Sequence, residues 1–148
     1  MNPKNQKSNS TTSLFNKILN TKDIAEFMKD NSGDLEIPSF QTHLSNICSA
    51  KALIPEQVIK NAGIERTYGH QLFNGTRKPS REKVIQLAFG LQLDVDDTQK
   101  LLQIARKNLL YPKIKRDAAI IFCISKKKDF FETQSVLESL ELTLLGDE

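Results

Sequence analysis

The amino-acid sequence predicts an all-α protein. Apolar residues recur three and four positions apart along most of the chain, the spacing that places them on one face of a helix. Residues that commonly begin helices stand before these stretches, and glycines follow several of them. No stretch alternates apolar and polar residues for long, and Asn74-Gly75 ends a helical pattern instead of joining two strands.

The first part of the chain predicts a helical segment over residues 13–38. Residues 1–12 are rich in Asn, Ser, Thr and Lys and predict a disordered N-terminus, because such a segment buries too little apolar surface to offset its ordering entropy. Thr21 is the expected cap of a helix that carries Ile24 and Phe27 on its apolar face. This segment would add an N-terminal helix to the main domain.

Residues 39–108 predict five further helices. Gly63 and Gly75 can adopt the left-handed conformation that ends a helix, so two short helices are expected to meet at a tight turn. The residues expected to begin the five helices are, in order, Ser39, Pro55, Glu65, Ser80 and Asp94.

The C-terminal extension, residues 109–148, predicts two more helices. Periodicity alone leaves Ala118–Ile124 as either a buried strand or a buried helix, and the polar helix formers around it favour the helix. The acidic stretch 129–148 is expected to pack on its own chain, with pairing of two subunits in a homodimer, or binding of a protein partner, as the alternatives. Its apolar residues near helical spacing are Phe130, Leu137, Leu140 and Leu144.

The charge is unevenly distributed along the 148 residues, whose formal net charge is only +3. Residues 51–90 carry seven basic and three acidic side chains, and residues 113–128 carry a net charge of +5. Residues 129–148 carry six acidic side chains and no basic one. The basic segments are either solvated surface, the commoner explanation of a charge run, or surfaces for a polyanion.

Composition also limits the location of the protein. No apolar run approaches the roughly 18–20 residues that cross a bilayer, and the polar N-terminus lacks the apolar region of a secretory signal, so no membrane contact is expected. Cys48 and Cys123 stand far apart, each within an apolar helical pattern, and are expected to be buried free thiols. These features favour the reducing cytoplasm.

The sequence contains no motif of catalysis or of cofactor binding. It has no GxSxG turn, P-loop, GxGxxG loop or HExxH helix. His43 and His70 lie far apart and have no carboxylate partner at a fixed spacing. We therefore expect a protein that is not an enzyme, with no catalytic residue, no metal and no cofactor.

The most informative stretch runs from Leu53 to Leu93. Its second short helix carries polar side chains on one side, and the loop after that helix is basic. The next helix begins at Pro79-Ser80, and a helix N-terminus beside Arg and Lys is suited to bind phosphate.

Residues 39–107 resemble the Cro/XRE-type, lambda-repressor-like helix-turn-helix family. The phrase AGIERTYGHQLFNGTRKPS reproduces the turn glycine at Gly63, the aliphatic Ile64, the helix-ending Asn74-Gly75 and the Pro79-Ser80 entry. The resemblance implies a five-helix bundle whose second and third helices bind DNA, here with an extra N-terminal helix and two C-terminal helices.

The resemblance also implies a role for each matching residue. The helix near 65–74 would lie in the major groove as the recognition helix. Contacts to bases would come from Arg66, Thr67, Tyr68 and His70, and contacts to the DNA backbone from Gln71, Asn74, Arg77, Lys78 and Ser80. For Tyr68, packing on Leu72 is an equal alternative to a DNA contact.

Three features depart from the family pattern. The family begins the first helix of the motif with Thr-Gln or Ser-Gln, whose Gln holds a phosphate, and Ile54-Pro55 occupies those positions here. Glu65 places a negative charge at the start of the recognition helix. Ile59 replaces a small Ala and Gly69 replaces a β-branched residue, so we expect a larger side chain to face a missing one.

Two functions follow from these observations. The favoured one is a cytoplasmic, sequence-specific regulator of transcription from a bacterium or phage, which binds double-stranded DNA. The alternative is a protein-interaction module on the same scaffold that serves as an accessory subunit. DNA binding requires positive potential over Arg66, His70, Arg77, Lys78 and Arg81 together, whereas an interaction module would expose an apolar patch there.

Overall fold

The computed structural model describes residues 11–36 and 38–147. Throughout these residues the chain forms helices and connecting loops without a β-strand, which confirms the all-α prediction for this part of the chain. The chain divides into two compact units, with the boundary between Ile37 and Pro38. Most of the segment predicted to be disordered, residues 1–10, lies outside the described residues.

The described residues of the first unit, 11–36, form two helices, α1 (Thr11–Asn20) and α2 (Ile24–Asp30), followed by a 3-10 turn at Ser32–Asp34. The sequence predicts one extra helix here, and it predicts Thr21 as the cap of the part that carries Ile24 and Phe27. Instead, the Asp23 carboxylate accepts a hydrogen bond from the backbone N–H of Glu26 at 3.2 Å, because Asp23 is the residue directly before α2. The Thr21 hydroxyl donates to the Asp23 carbonyl.

Residues 38–147, the described part of the second unit, form seven helices. Five of them lie in the region predicted to hold five, and two follow in the C-terminal extension: α3 (Phe40–Lys51), α4 (Pro55–Asn61), α5 (Arg66–Asn74), α6 (Arg81–Gly90), α7 (Val95–Ile104), α8 (Lys115–Ser125) and α9 (Phe130–Ser139). Helix α8 settles the ambiguous run Ala118–Ile124 as helical. The predicted caps Ser39, Ser80 and Asp94 each accept a hydrogen bond from a backbone N–H three residues later.

Helix α6 lies at the centre of this unit. Each of its residues from Val84 to Gly90 is buried, and α4, α7 and α9 pack around it. The missing side chain of Gly90 allows the Val58 carbonyl of α4 to approach closely. The thiols of Cys48 and Cys123 are buried and free, as predicted, and burial raises the pKa of both.

The C-terminal extension packs on the same core. Phe130, Leu137 and Leu145 are buried in it. Gln134 of α9 accepts a hydrogen bond from the Leu145 backbone N–H and donates one to the Leu145 carbonyl, which holds the end of the chain against α9. The prediction for Leu140 was wrong, because this side chain follows the end of α9 and is 55% exposed.

Two arginines connect the extension to the first turn of α6. Arg81 binds Asp117 of α8 and the backbone carbonyls of Asn108 and Leu109. Arg116 of α8 binds Glu82 of α6.

Among the described helices, none is both long and apolar enough to cross a lipid bilayer.

Candidate nucleic-acid interface

The turn between α4 and α5 is supported from behind by two later helices. Gly63 has a φ angle of 69°, the left-handed conformation predicted from the sequence. The ring of Phe130 occupies the space that a side chain on Gly63 would need. The buried Gln86 amide of α6 donates to the Ala62 carbonyl at 3.2 Å and to the Gly63 carbonyl at 3.4 Å. The turn is therefore fixed by packing and by hydrogen bonds.

Helices α4 and α5 pack through the pair predicted to compensate. A Cβ atom on Gly69 would collide with the Ile59 side chain, so the larger residue fills the space of the missing one. Ile54 precedes α4 without a side-chain cap, and Pro55 follows it at the first helical position. These two residues therefore lack the capping hydroxyl and the polar amide of the family pattern.

Glu65 caps the N-terminus of α5. Its carboxylate accepts hydrogen bonds from the backbone N–H of Thr67 at 2.6 Å and of Tyr68 at 3.1 Å. The hydrogen bond from Thr67 has the largest effect, followed by that from Tyr68, and both hold the pKa of Glu65 below its ordinary value. The carboxylate thus takes the backbone donors that an external phosphate could otherwise use at this helix terminus.

A second carboxylate joins α4 to the exposed side of α5. Arg66 Nε donates to Glu56 Oε1 at 2.6 Å, and His70 Nε2 lies 3.1 Å from Glu56 Oε2. Hydrogen bonds from Arg66 and then from His70 hold the pKa of Glu56 below its ordinary value. Arg66 remains 76% exposed and His70 41% exposed, so both side chains are accessible while they contact Glu56.

Tyr68 is half-buried and supports the basic loop. The Arg77 guanidinium lies 4.2 Å from the centre of the Tyr68 ring, and Lys83 Nζ lies 5.4 Å from it. Arg77 Nε also donates to Gln71 Oε1 at 3.1 Å. Tyr68 packs against the apolar core as well.

The loop from Asn74 to Ser80 has a fixed backbone. The Asn74 side chain accepts hydrogen bonds from the backbone N–H and the hydroxyl of Thr76. Gly75 has a φ angle of 84°, and the Gln41 carboxamide of α3 occupies the space of its missing side chain. Lys78 is exposed, whereas Ser80 is half-buried and caps α6.

Arg81 adds no free positive charge to the surface over which DNA binding is expected to require positive potential. Its guanidinium binds the buried Asp117 carboxylate at 2.9 Å, and its side chain is 26% exposed. No local pattern indicates this partner, because the two residues are 36 positions apart. The remaining predicted site residues lie on α5 and on the loop that follows it, and they form one continuous segment from Arg66 to Ser80.

Sequence reasoning missed the residues that hold this segment from other helices. Glu56 of α4 and Gln41 of α3 contact this segment, and Gln86 of α6 holds the turn before it; no local pattern marks such contacts. The stretch 55–108, which the structure describes throughout, exposes no large apolar side chain.

Within the described ranges 11–36 and 38–147, no three His, Cys, Asp or Glu side chains are grouped closely enough to hold a metal ion.

Comparison with known proteins finds no family model, no curated protein and no solved structure that matches this chain.

Proposed function

We propose that the chain binds double-stranded DNA in a sequence-specific manner, with α5 as the recognition helix of a helix-turn-helix unit, and that it regulates transcription. One observation carries the proposal. Helix α5 and the following loop present Arg66, Thr67, His70, Arg77 and Lys78 together on a segment without an exposed large apolar side chain.

The dimensions of α5 are compatible with this role. An α-helix with its side chains is about 10–12 Å across, and the major groove is about 12 Å wide, so α5 fits into the groove. Arg66 and Thr67 lie in the first turn of α5, where the recognition helices of this class contact base edges. Arg77 and Lys78 would then contact phosphates and orient the helix.

The alternative function, a protein-interaction module on the same scaffold, would require an apolar patch on α5. The exposed large apolar side chains nearest in sequence are Ile54 and Leu109, on either side of the segment. The surface of α5 is polar and carries both signs of charge, because Glu56 and Glu65 lie beside the basic residues. This composition is not the apolar patch that a protein-interaction module would expose.

The proposal is tested by selecting binding sites from random duplex DNA in the presence of competitor DNA. The expected result is a shared short sequence that wild type binds at least about a thousandfold more tightly than random duplex. Arg66→Ala should weaken binding to that sequence by about 1–3 kcal/mol and leave non-specific affinity nearly unchanged.

Lys107→Ala is the matched control, since it removes an exposed basic side chain that lies outside residues 54–83. It should leave the preferred sequence and its affinity unchanged. Selection that yields no shared sequence, together with no binding to random duplex at low salt, would contradict the proposed function.

A further inference from the structure

Glu56 is the acidic residue of α4 that contacts the exposed side of α5. Each of its carboxylate oxygens contacts a different side chain, Arg66 through Nε and His70 through Nε2. Both contacts cross the turn between the two helices, with ten and fourteen positions between the partners. Because α4 and α5 are packed through Ile59 and Gly69, the backbone of Glu56 is held beside α5.

The choice of nitrogen determines what Arg66 can still do. A guanidinium has five N–H donors, and Glu56 takes the one on Nε. The four N–H groups on the two terminal nitrogens stay available, and the 76% exposure of the side chain leaves them open to solvent. The two terminal nitrogens can make a two-point contact with O6 and N7 of guanine.

We propose that Glu56 determines base specificity by holding the Arg66 guanidinium in the orientation that contacts guanine. This inference rests on the proposed function and adds a positioning residue to it. An exposed arginine without a partner samples many rotamers and can bind phosphates at several positions. The Glu56 carboxylate restricts those rotamers before DNA arrives, so less conformational entropy is lost on binding.

The charge of Glu56 acts in the same direction. A carboxylate beside Arg66 partly neutralises its charge and repels phosphate, so it reduces the sequence-independent part of the affinity. A guanine edge carries no net charge, and the hydrogen bonds to it depend on orientation. Glu56 should therefore lower affinity for random DNA while it preserves the preference for guanine.

Glu65 provides a matched comparison. Its carboxylate lies at the N-terminus of α5. There it accepts hydrogen bonds from the backbone N–H groups of Thr67 and Tyr68 instead of contacting Arg66. Glu56→Gln and Glu65→Gln remove the same charge from the same region, and glutamine retains an acceptor oxygen at both positions. Glu56→Ala removes the acceptor as well.

The experiment measures affinity for the selected site and for single base-pair replacements of it. Wild type should lose about 10- to 100-fold affinity when the guanine read by Arg66 is replaced. In Glu56→Ala this loss should shrink at least about fivefold, with Glu56→Gln intermediate, while the losses at other positions stay as in wild type. In Arg66→Ala, adding Glu56→Ala should have no effect on that position.

Glu65→Gln should increase affinity for random duplex as Glu56→Gln does, yet keep the wild-type loss at the guanine. The inference is overturned if Glu56→Ala keeps the full loss, or if Glu65→Gln reduces it equally. It is also overturned if wild type binds its site without an Arg66-dependent guanine, an outcome that leaves DNA binding intact. Absence of binding to any duplex by wild type overturns the proposed function instead.

Discussion

Arg116 and Glu82 form a two-point ion pair that connects α8 to the first turn of α6. The distances are 2.8 Å from Nη1 to Oε2 and 2.6 Å from Nη2 to Oε1. Both side chains are largely buried, and Glu82 also accepts a hydrogen bond from the backbone N–H of Gly146. Arg116 in turn donates to the carbonyls of Thr143 and Leu144. The Arg116 side chain thus links α8 to α6 and to the segment of Thr143 and Leu144.

Arg116→Met should lower the free energy of unfolding by about 3 kcal/mol, because it leaves the buried Glu82 carboxylate without its guanidinium partner. Denaturant titration of both proteins measures this difference. Lys115→Met changes the neighbouring exposed residue and should alter the value by less than about 0.5 kcal/mol. Equal stability of Arg116→Met and wild type would show that the pair makes no net contribution.

The stability of wild type should fall in acid through Glu82. Burial alone would raise the pKa of Glu82, but the hydrogen bonds from Arg116 and Gly146, together with the guanidinium charges of Arg116 and Arg81, outweigh it and lower the pKa. The ionised form therefore stabilises the folded state above the ordinary pKa of 4.5, and this stabilisation is lost as the pH falls through the lower folded value.

Unfolding titrations between about pH 7 and pH 2 test this dependence. Wild type should lose more stability below pH 4.5 than Glu82→Gln does. Glu138→Gln, which removes an exposed carboxylate of α9, should follow the wild-type curve. Parallel curves for wild type and Glu82→Gln would refute the contribution of Glu82.

Gly69→Ala should destabilise the protein even though alanine favours a helix over glycine by about 1 kcal/mol. The added methyl group collides with Ile59, and overpacking of a core typically costs about 1–3 kcal/mol. Ile59→Ala removes the side-chain atoms that collide, so the double variant should lose less stability than the sum of the two single variants, which denaturant titration of all three measures. If Gly69→Ala is more stable than wild type, α4 and α5 can move apart without a net loss of stability.

Removal of residues 129–148 should lower the midpoint of thermal unfolding at every protein concentration. Phe130 and Leu137 are buried in the core of their own chain, so the truncated protein loses core and not a contact between subunits. Sedimentation of both proteins should give the same oligomeric state. A change from dimer to monomer upon truncation would indicate that α9 pairs two chains.

Lys78→Ala and Arg77→Ala should each weaken binding to all DNA sequences alike. Each lost phosphate contact lowers the slope of log affinity against log salt by about 0.9. Arg77→Ala should also lower stability slightly, since this guanidinium stacks on Tyr68 and binds Gln71, whereas exposed Lys78 should not affect stability. Unchanged salt slopes in both variants would exclude the loop from contact with phosphate.

Local sequence predicted the helices well because their ends depend on neighbouring residues. Ser39, Ser80 and Asp94 cap the helices that follow them, and Gly75 ends α5 through its own backbone conformation. The error at Thr21 arose where two capping residues stand two positions apart and only Asp23 directly precedes the helix.

The side-chain partners at the candidate interface were not predictable in the same way. Arg81 is among the residues over which DNA binding is expected to require positive potential, but Asp117 and the carbonyls of two loop residues bind it. Glu56 gave no local sign of its contact with Arg66. Such pairs depend on how helices pack, and packing is decided by residues distant in sequence.

The support of Gly63 by Phe130 has a consequence for synthesis of the chain on the ribosome. The turn that joins α4 to α5 is translated long before the ring that covers it, because 67 positions separate the two residues in the sequence. Until α9 has emerged from the exit tunnel, this turn lacks its cover and the core beneath it stays incomplete. The nascent chain therefore completes the surface around α5 only once α9 has been synthesised and has left the tunnel.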